Sequence, residues 1–138
     1  MDSNDCVFCK MVEGQIPVTK VYEDQAVLAF LDIAPVSRGH TLLIPKQHFS
    51  RLHDCPAEHL AKVCSSLGTV SAAVASAMNA DGYNVLCNTG RAAGQVVEHL
   101  HFHIIPRRTG DGLFTHWPAS RYEQGQIEQV AQEIRKHL

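Results

Sequence analysis

The sequence predicts an α+β fold built on an antiparallel sheet, and three observations support this prediction. Five short segments have the β-branched, aromatic and aliphatic composition typical of strands. Most of them follow one another too closely for a crossover helix, which favours hairpin connections. Two further segments, residues 56–80 and 126–138, carry apolar side chains at helical spacing. The 138 residues suffice for one domain, which we expect to span 1–138.

The first four strands follow in chain order. Residues 19–33, TKVYEDQAVLAFLDI, predict two short strands joined near residues 23–25. The turn-forming residues 37–39 then precede a third strand in HTLLIPKQH, residues 40–48. GYNVLCN, residues 82–88, predicts the fourth strand.

Two helices complete the predicted set of elements. Residues 56–80 form the long helix, with Pro56 in its first turn. QIEQVAQEIRKHL, residues 126–138, predicts an amphipathic helix at the end of the chain. The apolar stripe of the long helix consists of Leu60, Val63, Cys64, Leu67, Val70 and Val74.

Composition and charge exclude several classes of function. Hydrophobic residues make up 45% of the chain and charged residues 19%, which is typical of a globular protein. The net charge of −2 provides no basic surface for a nucleic-acid backbone. No apolar run approaches the ~20 residues of a membrane span, and the N-terminus lacks the pattern of a secretory signal. We therefore expect a cytoplasmic protein with neither nucleic acid nor membrane as a partner. Five cysteines, an odd set, suit reduced thiols in that compartment: Cys6, Cys9, Cys55, Cys64 and Cys87.

Three histidines alternate in EHLHFHIIPRR, residues 98–108: His99, His101 and His103. The apolar residues between them are good strand formers, and Pro106 ends the pattern. Because side chains alternate along a strand, the three imidazoles share one face and the apolar residues point to a core. Three histidines in strict alternation indicate a function, since imidazole serves as acid, base or ligand near neutral pH.

Two kinds of chemistry fit this row of histidines. One is a metal ion held by all three, but the Cα atoms of His99 and His103 would lie about 13 Å apart in a strand, which is awkward for a tetrahedral metal. Two of the three could share a metal. The other is nucleophilic catalysis, in which a neutral imidazole attacks phosphorus and its neighbours supply protons and hydrogen bonds. A row of three suits a central nucleophile between two helpers.

The loop NTGRAAGQVV, which directly precedes the row, has features of a phosphate site. Gly90 and Gly94 allow close approach of the backbone to a ligand. The backbone amides of Gly94, Gln95 and Val96 could form an anion-binding nest, with the side-chain amide of Asn88 beside them. Glycine-containing loops are common, so it is the position before the histidines that favours a phosphate role.

Together these motifs resemble the histidine triad (HIT) nucleotide-binding proteins. HLHFHII matches their pattern His-x-His-x-His-x-x with apolar x, and AGQ stands just upstream. The resemblance covers nearly the whole chain, through CVFCKMVEGQIP, FLDIAP, LLIPKQH and NTGRAAGQVVEHLHFHIIPR. It implies a five-stranded antiparallel sheet with one long and one C-terminal helix, usually in a homodimer. It also implies the binding of purine nucleotides such as AMP, and the hydrolysis or transfer of nucleoside monophosphates.

The resemblance also assigns roles to individual residues. The middle histidine, His101, would be the nucleophile and form a nucleotidyl-histidine intermediate at the α-phosphate. His103 would assist at the phosphate, and the backbone carbonyl of His99 would fix the tautomer of His101. Asp32 would bind the ribose hydroxyls, with Ile33 beside the sugar or the base. The phosphates would be lined by Asn88, Gly94, Gln95 and Val96.

One position departs from the family pattern. Many relatives have serine or threonine where this chain has Val96. A valine side chain cannot donate a hydrogen bond, so only the backbone amide could serve there. The sequence therefore leaves the leaving-group preference open.

The CVFC motif, Cys6 and Cys9, allows three interpretations: a redox pair, half of a zinc site, or chance. A redox pair is expected near a βαβ pattern, which the sequence lacks. Zinc needs two further ligands, and in relatives with this N-terminal pair they match His48 and His99. The resemblance thus implies a structural zinc with four protein ligands and no open position for water, and no organic cofactor.

Four functional interpretations stay open from the sequence. The first is an adenosine phosphoramidase and the second a dinucleoside polyphosphate hydrolase. The third is a catalytically weak nucleotide-binding module, and the fourth a metalloenzyme that uses the triad as ligands. The family resemblance further implies that Trp117 lies near the active site of the partner protomer in a dimer and shapes leaving-group selectivity there. Four further histidines are predicted at the surface or in turns: His40, His53, His59 and His137. The other three cysteines, Cys55, Cys64 and Cys87, are predicted in the core or at loop edges.

Overall fold

One antiparallel sheet of five strands organises residues 5–138, the part of the chain that this computed structural model describes. The strands lie side by side in the order β1-β2-β3-β5-β4. The predicted α+β class and the five-stranded sheet are therefore confirmed, while the first four residues of the expected domain and of the N-terminal segment lie outside the described residues. The elements are α1 (Val7–Val12), β1 (Lys20–Glu23), β2 (Val27–Leu31), β3 (Thr41–Pro45), α2 (Ala57–Ala77), β4 (Gly82–Leu86), β5 (Phe102–Arg107) and α3 (Gln126–Arg135).

The two faces of the sheet bury separate cores because side chains alternate along each strand. On β3, Leu43 packs with α2, whereas Leu42 and Ile44 pack with α1. The α2 core consists of Val27, Ala29, Leu43, Phe49, Cys55, Val63, Val70, Val74, Leu100, Phe102 and Ile104. The smaller α1 core consists of Cys6, Phe8, Cys9, Leu28, Phe30, Leu42 and Ile44.

The predicted elements do not include helix α1. It has six residues, fewer than two turns, which is too short to show an apolar periodicity. The helix buries Phe8 and Cys9 against the sheet. Cys9, the second cysteine of the CVFC motif, therefore lies on the face of the sheet that α2 does not cover.

Helix α2 confirms the predicted long helix and corrects its stripe. Val63, Val70 and Val74 are buried as predicted, but Ser66 and Ser71 share their face. Cys64 is exposed, so it does not belong to the stripe. By length and composition alone α2 could cross a membrane, and a single helix of this kind is weak evidence for a membrane span.

Strand β5 begins later than the histidine pattern predicts. Its pairing starts at Phe102, opposite Leu43, so His99 and His101 precede the ladder. The residue between them, Leu100, donates its backbone N–H to a loop carbonyl instead of to a strand. The alternation of faces nevertheless continues through this extended segment, because Leu100 and Phe102 both enter the α2 core.

Strand β5 also continues past Pro106, which contradicts the prediction that this proline ends it. Pro106 pairs with Tyr83, and the strand ends at Arg107. The Pro106 carbonyl accepts a hydrogen bond of 2.7 Å from the hydroxyl of Ser37. The proline nitrogen faces the same side, where pairing with β3 has already ended at Ile104, so its missing N–H leaves the ladder intact.

Helix α3 confirms the predicted C-terminal helix. Every one of its residues is at least partly exposed, so its apolar side chains contribute little to the cores. The three cysteines outside the CVFC motif are free thiols. Cys55 is buried and Cys87 half-buried, as predicted for packing residues.

Candidate active site and metal centre

The three histidines of the row lie on one face of the sheet, as their alternation predicts. His99 and His101 are buried and His103 is half-buried. The rings of His101 and His103 are 5.1 Å apart between centroids. Phe8 of α1 covers the row, with its centroid 5.3 Å from that of His101. The row is therefore a compact, mostly dry group of imidazoles.

The ring of His101 is held in one tautomer. Its Nδ1 lies 2.6 Å from the backbone carbonyl of His99, which is the contact implied by the family resemblance. A carbonyl oxygen only accepts, so Nδ1 carries the proton and Nε2 keeps its lone pair. Burial lowers the pKa of His101, although the bond to His99 opposes this shift. The ring is thus neutral near pH 7, with Nε2 in the form that a nucleophile requires.

The ring of His103 is held in the opposite tautomer by two successive hydrogen bonds. The backbone N–H of Val36 donates to Nδ1 of His40 at 3.0 Å, so the proton of neutral His40 sits on Nε2. That Nε2 lies 2.9 Å from Nδ1 of His103 and donates to it. His103 must then carry its own proton on Nε2. Burial, with a smaller effect of the neighbouring imidazoles, lowers the pKa of His103 to about 4.

His40 is the main site residue that the sequence analysis missed. It is predicted at the surface, but it is 3% exposed and directly contacts the triad. Its position could be found only from the strand register. Leu42 pairs with His103 across β3 and β5, so a residue two positions before Leu42 lies on the same face beside His103.

Asp32 joins the same end of the row. One of its carboxylate oxygens lies 3.7 Å from Nε2 of His40, and the other accepts the backbone N–H of Ala34 at 2.8 Å. Asp32, His40 and His103 are close enough to hold a metal ion together. Such an ion would need the lone pair of His40 Nε2, whereas the amide of Val36 leaves the proton there. The hydrogen bonds therefore favour a proton-positioning chain at this place over a metal site.

The remaining residues predicted at the sugar and across a dimer lie at the surface. Ile33, next to Asp32, is fully exposed. Trp117 is 88% exposed and belongs to neither core. The predicted roles of both residues stay predictions. His53 and His137 are exposed and His59 is partly exposed, which confirms the prediction for these three histidines.

The loop before the row offers fewer free amides than predicted. The Gly94 N–H donates to the carbonyl of Arg91 at 2.9 Å, and the Gln95 N–H donates to the carbonyl of Gly90 at 3.1 Å. Among residues 5–138, only the amide of Val96 in the predicted nest has no hydrogen-bond partner. The side chain of Asn88, whose Nδ2 lies beside Gly94, is a second donor there. That Gly94 and Gln95 line the phosphates stays a prediction.

The side chain of Gln95 stabilises the loop from inside. Its side chain is buried, and its Oε1 accepts the backbone N–H of Gly90 at 2.8 Å. Its Nε2 donates to the carbonyls of Ser50 at 2.7 Å and Val97 at 3.2 Å. All the polar atoms of this side chain are thus engaged, so its role is to hold the loop beside the row.

The four residues of the predicted zinc site converge at the other end of the row. Their ligand atoms all lie within 4.8 Å of one another. Nδ1 of His99 lies 3.4 Å from Sγ of Cys6 and 3.6 Å from Sγ of Cys9. Nδ1 of His48 lies 3.3 Å from Sγ of Cys9 and 3.2 Å from Nδ1 of His99. Zinc at its usual bond lengths separates tetrahedral ligands by roughly 3.3–3.8 Å, so these spacings fit zinc.

The chemistry of the donors fits a metal as well. Nε2 of His99 lies 2.8 Å from the carbonyl of Pro45 and must donate to it, so Nδ1 presents a lone pair to the two sulfurs. Burial raises the pKa of Cys9 to about 12, so its thiol holds its proton until a cation displaces it. Four protein ligands leave no position for a reactive water, which favours a structural role.

Comparison with known protein families identifies this arrangement. The model of the HIT domain family matches residues 13–110, more than half of the chain. The adenosine 5'-monophosphoramidase hnt1 of Schizosaccharomyces pombe is 42% identical over 130 residues, which cover 94% of this chain and 95% of that protein. The adenylylsulfatase HINT3 of Arabidopsis thaliana is 41% identical over 138 residues, which cover 98% of this chain and 70% of that protein.

Solved structures show the same fold. A crystal structure of a HIT family member from Bacillus subtilis matches with a TM-score of 0.90 at 39% identity, covering 97% of each chain. A zinc-bound histidine triad family protein from Mycobacterium smegmatis matches with a TM-score of 0.77 at 39% identity, covering 99% of this chain and 100% of that one. With its His-x-His-x-His row, its sheet topology and these relatives, the chain belongs to the histidine triad (HIT) family.

Proposed function

We propose that this HIT protein is an adenosine phosphoramidase, which hydrolyses the bond between the α-phosphate of an AMP-like nucleotide and an amine. The observation that carries the proposal is the pair of opposite tautomers in the row. His101 presents a lone pair on Nε2, while His103 presents an N–H on the equivalent atom. A nucleophile and a hydrogen-bond donor thus lie side by side, which is what in-line displacement at phosphorus requires. The name of the relative from Schizosaccharomyces pombe supports this choice of substrate class.

The proposed reaction has two steps. Nε2 of His101 attacks the α-phosphorus, the P–N bond to the amine breaks, and the leaving nitrogen takes the bonding pair together with a proton from solvent. Water then attacks the phosphorus of the nucleotidyl-histidine, and the bond to His101 breaks with its electron pair returning to Nε2. AMP leaves, and the proton released from water replaces the one that solvent gave to the amine. His103 donates its Nε2 proton as a hydrogen bond to a phosphate oxygen in both steps. Asp32 and Ile33 hold the nucleoside, and Asn88 and the Val96 amide hold the phosphate.

The proposal is tested with three compounds and the intact chain. AMP-morpholidate should release AMP quickly and diadenosine tetraphosphate slowly, while AMP itself should bind as product. Preferential cleavage of the dinucleotide would instead assign the chain to the polyphosphate hydrolases. Binding of AMP without cleavage of either substrate would leave a nucleotide-binding module and contradict the proposal.

We further propose that the Cys6, Cys9, His48 and His99 site holds a structural zinc. The ligand spacings and the zinc-bound relative from Mycobacterium smegmatis support this assignment. The zinc would fix α1 to the sheet and supply no catalytic chemistry. Such a site needs reduced thiols, which supports a cytoplasmic location.

A homodimer is the third part of the proposal. Strand β4 stands at one edge of the sheet order, and its side chains Tyr83, Val85 and Leu86 are exposed. An exposed apolar edge strand offers unpaired backbone groups and apolar surface to a second copy. Light scattering on the intact chain should give the mass of two chains, and Val85→Lys should halve it. A wild-type mass of one chain would refute the dimer.

A further inference from the structure

We propose that α1 is a metal-fastened clamp on the nucleophile and that Phe8 is its positioning residue. In this view the Cys6, Cys9, His48 and His99 site acts on catalysis through the ring of Phe8, which holds the imidazole of His101 in one orientation. The inference rests on the proposed function, because it gives a reason for the orientation of the proposed nucleophile. Phe8 contacts both His99, a ligand of the proposed metal site, and His101, the proposed nucleophile.

Phe8 contacts two imidazoles of the row. Its ring meets that of His101 edge to face, with centroids 5.3 Å apart and planes at 84°. It meets the ring of His99 in the same way, at 5.8 Å and 72°. Perpendicular aromatic pairs at these distances are favourable, and they resist rotation of either ring. Phe8 is 6% exposed, so the contact is packed on all sides.

The hydrogen bond of His101 alone does not fix the orientation of its ring. The bond from Nδ1 to the His99 carbonyl holds one edge of the imidazole. The ring can still swing about that edge, because the bond constrains a single atom. The packed ring of Phe8 prevents this rotation, so Nε2 points in one direction.

The position of Phe8 depends on the attachments of helix α1. Phe8 lies between Cys6 and Cys9 in the sequence, on a helix of six residues. An isolated helix of this length is unstable in water, so α1 depends on its attachments. Those attachments are the small α1 core and the four metal ligands, two of which come from the sheet side. A bound metal would tie both ends of the Phe8 segment to His48 and His99.

The consequence for catalysis is a specific kinetic signature. A displacement of about 1 Å in a catalytic group can lower a rate about 10²-fold. Within residues 5–138, the ring partners of Phe8 are Phe30, His99 and His101, and none of these is proposed to hold the ribose or the phosphate. Loosening Phe8 should therefore lower kcat and leave KM unchanged.

The experiment compares Phe8→Leu with Phe49→Leu in the full, zinc-loaded chain. Phe49 is a matched control for the side chain, because its ring is 9% exposed and packs edge to face on His59 in the α2 core, on the opposite face of the sheet from the row. Its backbone carbonyl, which accepts the N–H of Leu100, is kept in the leucine variant. For Phe8→Leu we expect kcat for AMP-morpholidate to fall about 10- to 100-fold at constant KM. Phe49→Leu should keep the wild-type kcat at a similar loss of thermal stability.

A spectroscopic readout makes the test independent of turnover. Nitrogen-15 NMR of the imidazoles distinguishes the Nδ1–H from the Nε2–H tautomer of His101. Wild type and Phe49→Leu should show the Nδ1–H form alone, whereas Phe8→Leu should show a mixture. Removing zinc from the wild type with a chelator should produce the same mixture, reloading should reverse it, and chelation should add little in Phe8→Leu.

Several results would overturn the inference. A single tautomer and an unchanged kcat in Phe8→Leu would reduce Phe8 to a packing residue. A single tautomer in the chelated wild type would show that the metal does not act through α1. This arm uses no substitution, so it decides the matter even if Phe8→Leu fails to fold. Lack of phosphoramidase activity in the wild type would refute the proposed function alone, since the tautomer measurement needs no substrate.

Discussion

Replacing His101 by alanine should lower kcat/KM for AMP-morpholidate by at least about 10⁴-fold and leave the binding of AMP within a few-fold of wild type. The reason is that Nε2 of His101 forms the bond to phosphorus, and no other imidazole in the row can replace it. His103 presents an N–H on Nε2, and His99 has both ring nitrogens engaged, one with Pro45 and one with the cysteines. The substitution removes the nucleophile but none of the groups proposed to hold the ribose or the phosphate.

His59→Ala is the matched control for this substitution. His59 is a partly exposed imidazole that, like His101, packs edge to face on a phenylalanine, but it lies on the α2 side of the sheet. The measurements are AMP release, equilibrium binding of AMP, and trapping of labelled nucleotide on the acid-quenched protein. Wild type and His59→Ala should trap label and His101→Ala should not. Activity of His101→Ala within about tenfold of wild type would assign the nucleophile to another residue.

The sequence predicts much of this site because a strand alternates its side chains. Three histidines at every second position must share a face, and the structure places them so even where β5 has not yet begun. The contact between His101 and the His99 carbonyl, which the family resemblance implies, is also local, since it joins residues two positions apart. Features that depend on neighbours along the chain were therefore accessible from the sequence.

The residues that the sequence analysis missed depend on pairing between distant strands. His40 is 63 positions from His103, and only the register of β3 against β5 brings the two rings together. The loop shows the same limit, because glycine spacing indicates an anion nest but not which amides are already bonded within the loop. Helix α1 was missed because six residues do not form a stable helix alone, and it is held by the α1 core and by contacts of Cys6 and Cys9 with distant histidines.

Removing the proposed structural zinc should destabilise the protein strongly, and Cys9→Ser should remove the same stabilisation permanently. Structural zinc contributes its binding free energy to folding, because the unfolded chain has no preformed site. A loss of about 3 kcal/mol or more corresponds to a fall in Tm of roughly 10 °C for a domain of this size. We therefore expect a chelator to lower the Tm of the wild type by at least about 10 °C, and added zinc to restore it.

Cys55→Ser is the control that separates the loss of zinc from the cost of burying a serine hydroxyl. Cys9 and Cys55 are 8% and 7% exposed and both are free thiols, but Cys55 lies in the α2 core. Either serine should lower the Tm through its buried hydroxyl. Only Cys9→Ser should also lose the bound zinc and the response to chelator, since the remaining three ligands cannot complete the tetrahedron. A wild-type Tm that ignores chelator, or zinc retained by Cys9→Ser, would mean that α1 is held to the sheet by apolar packing alone.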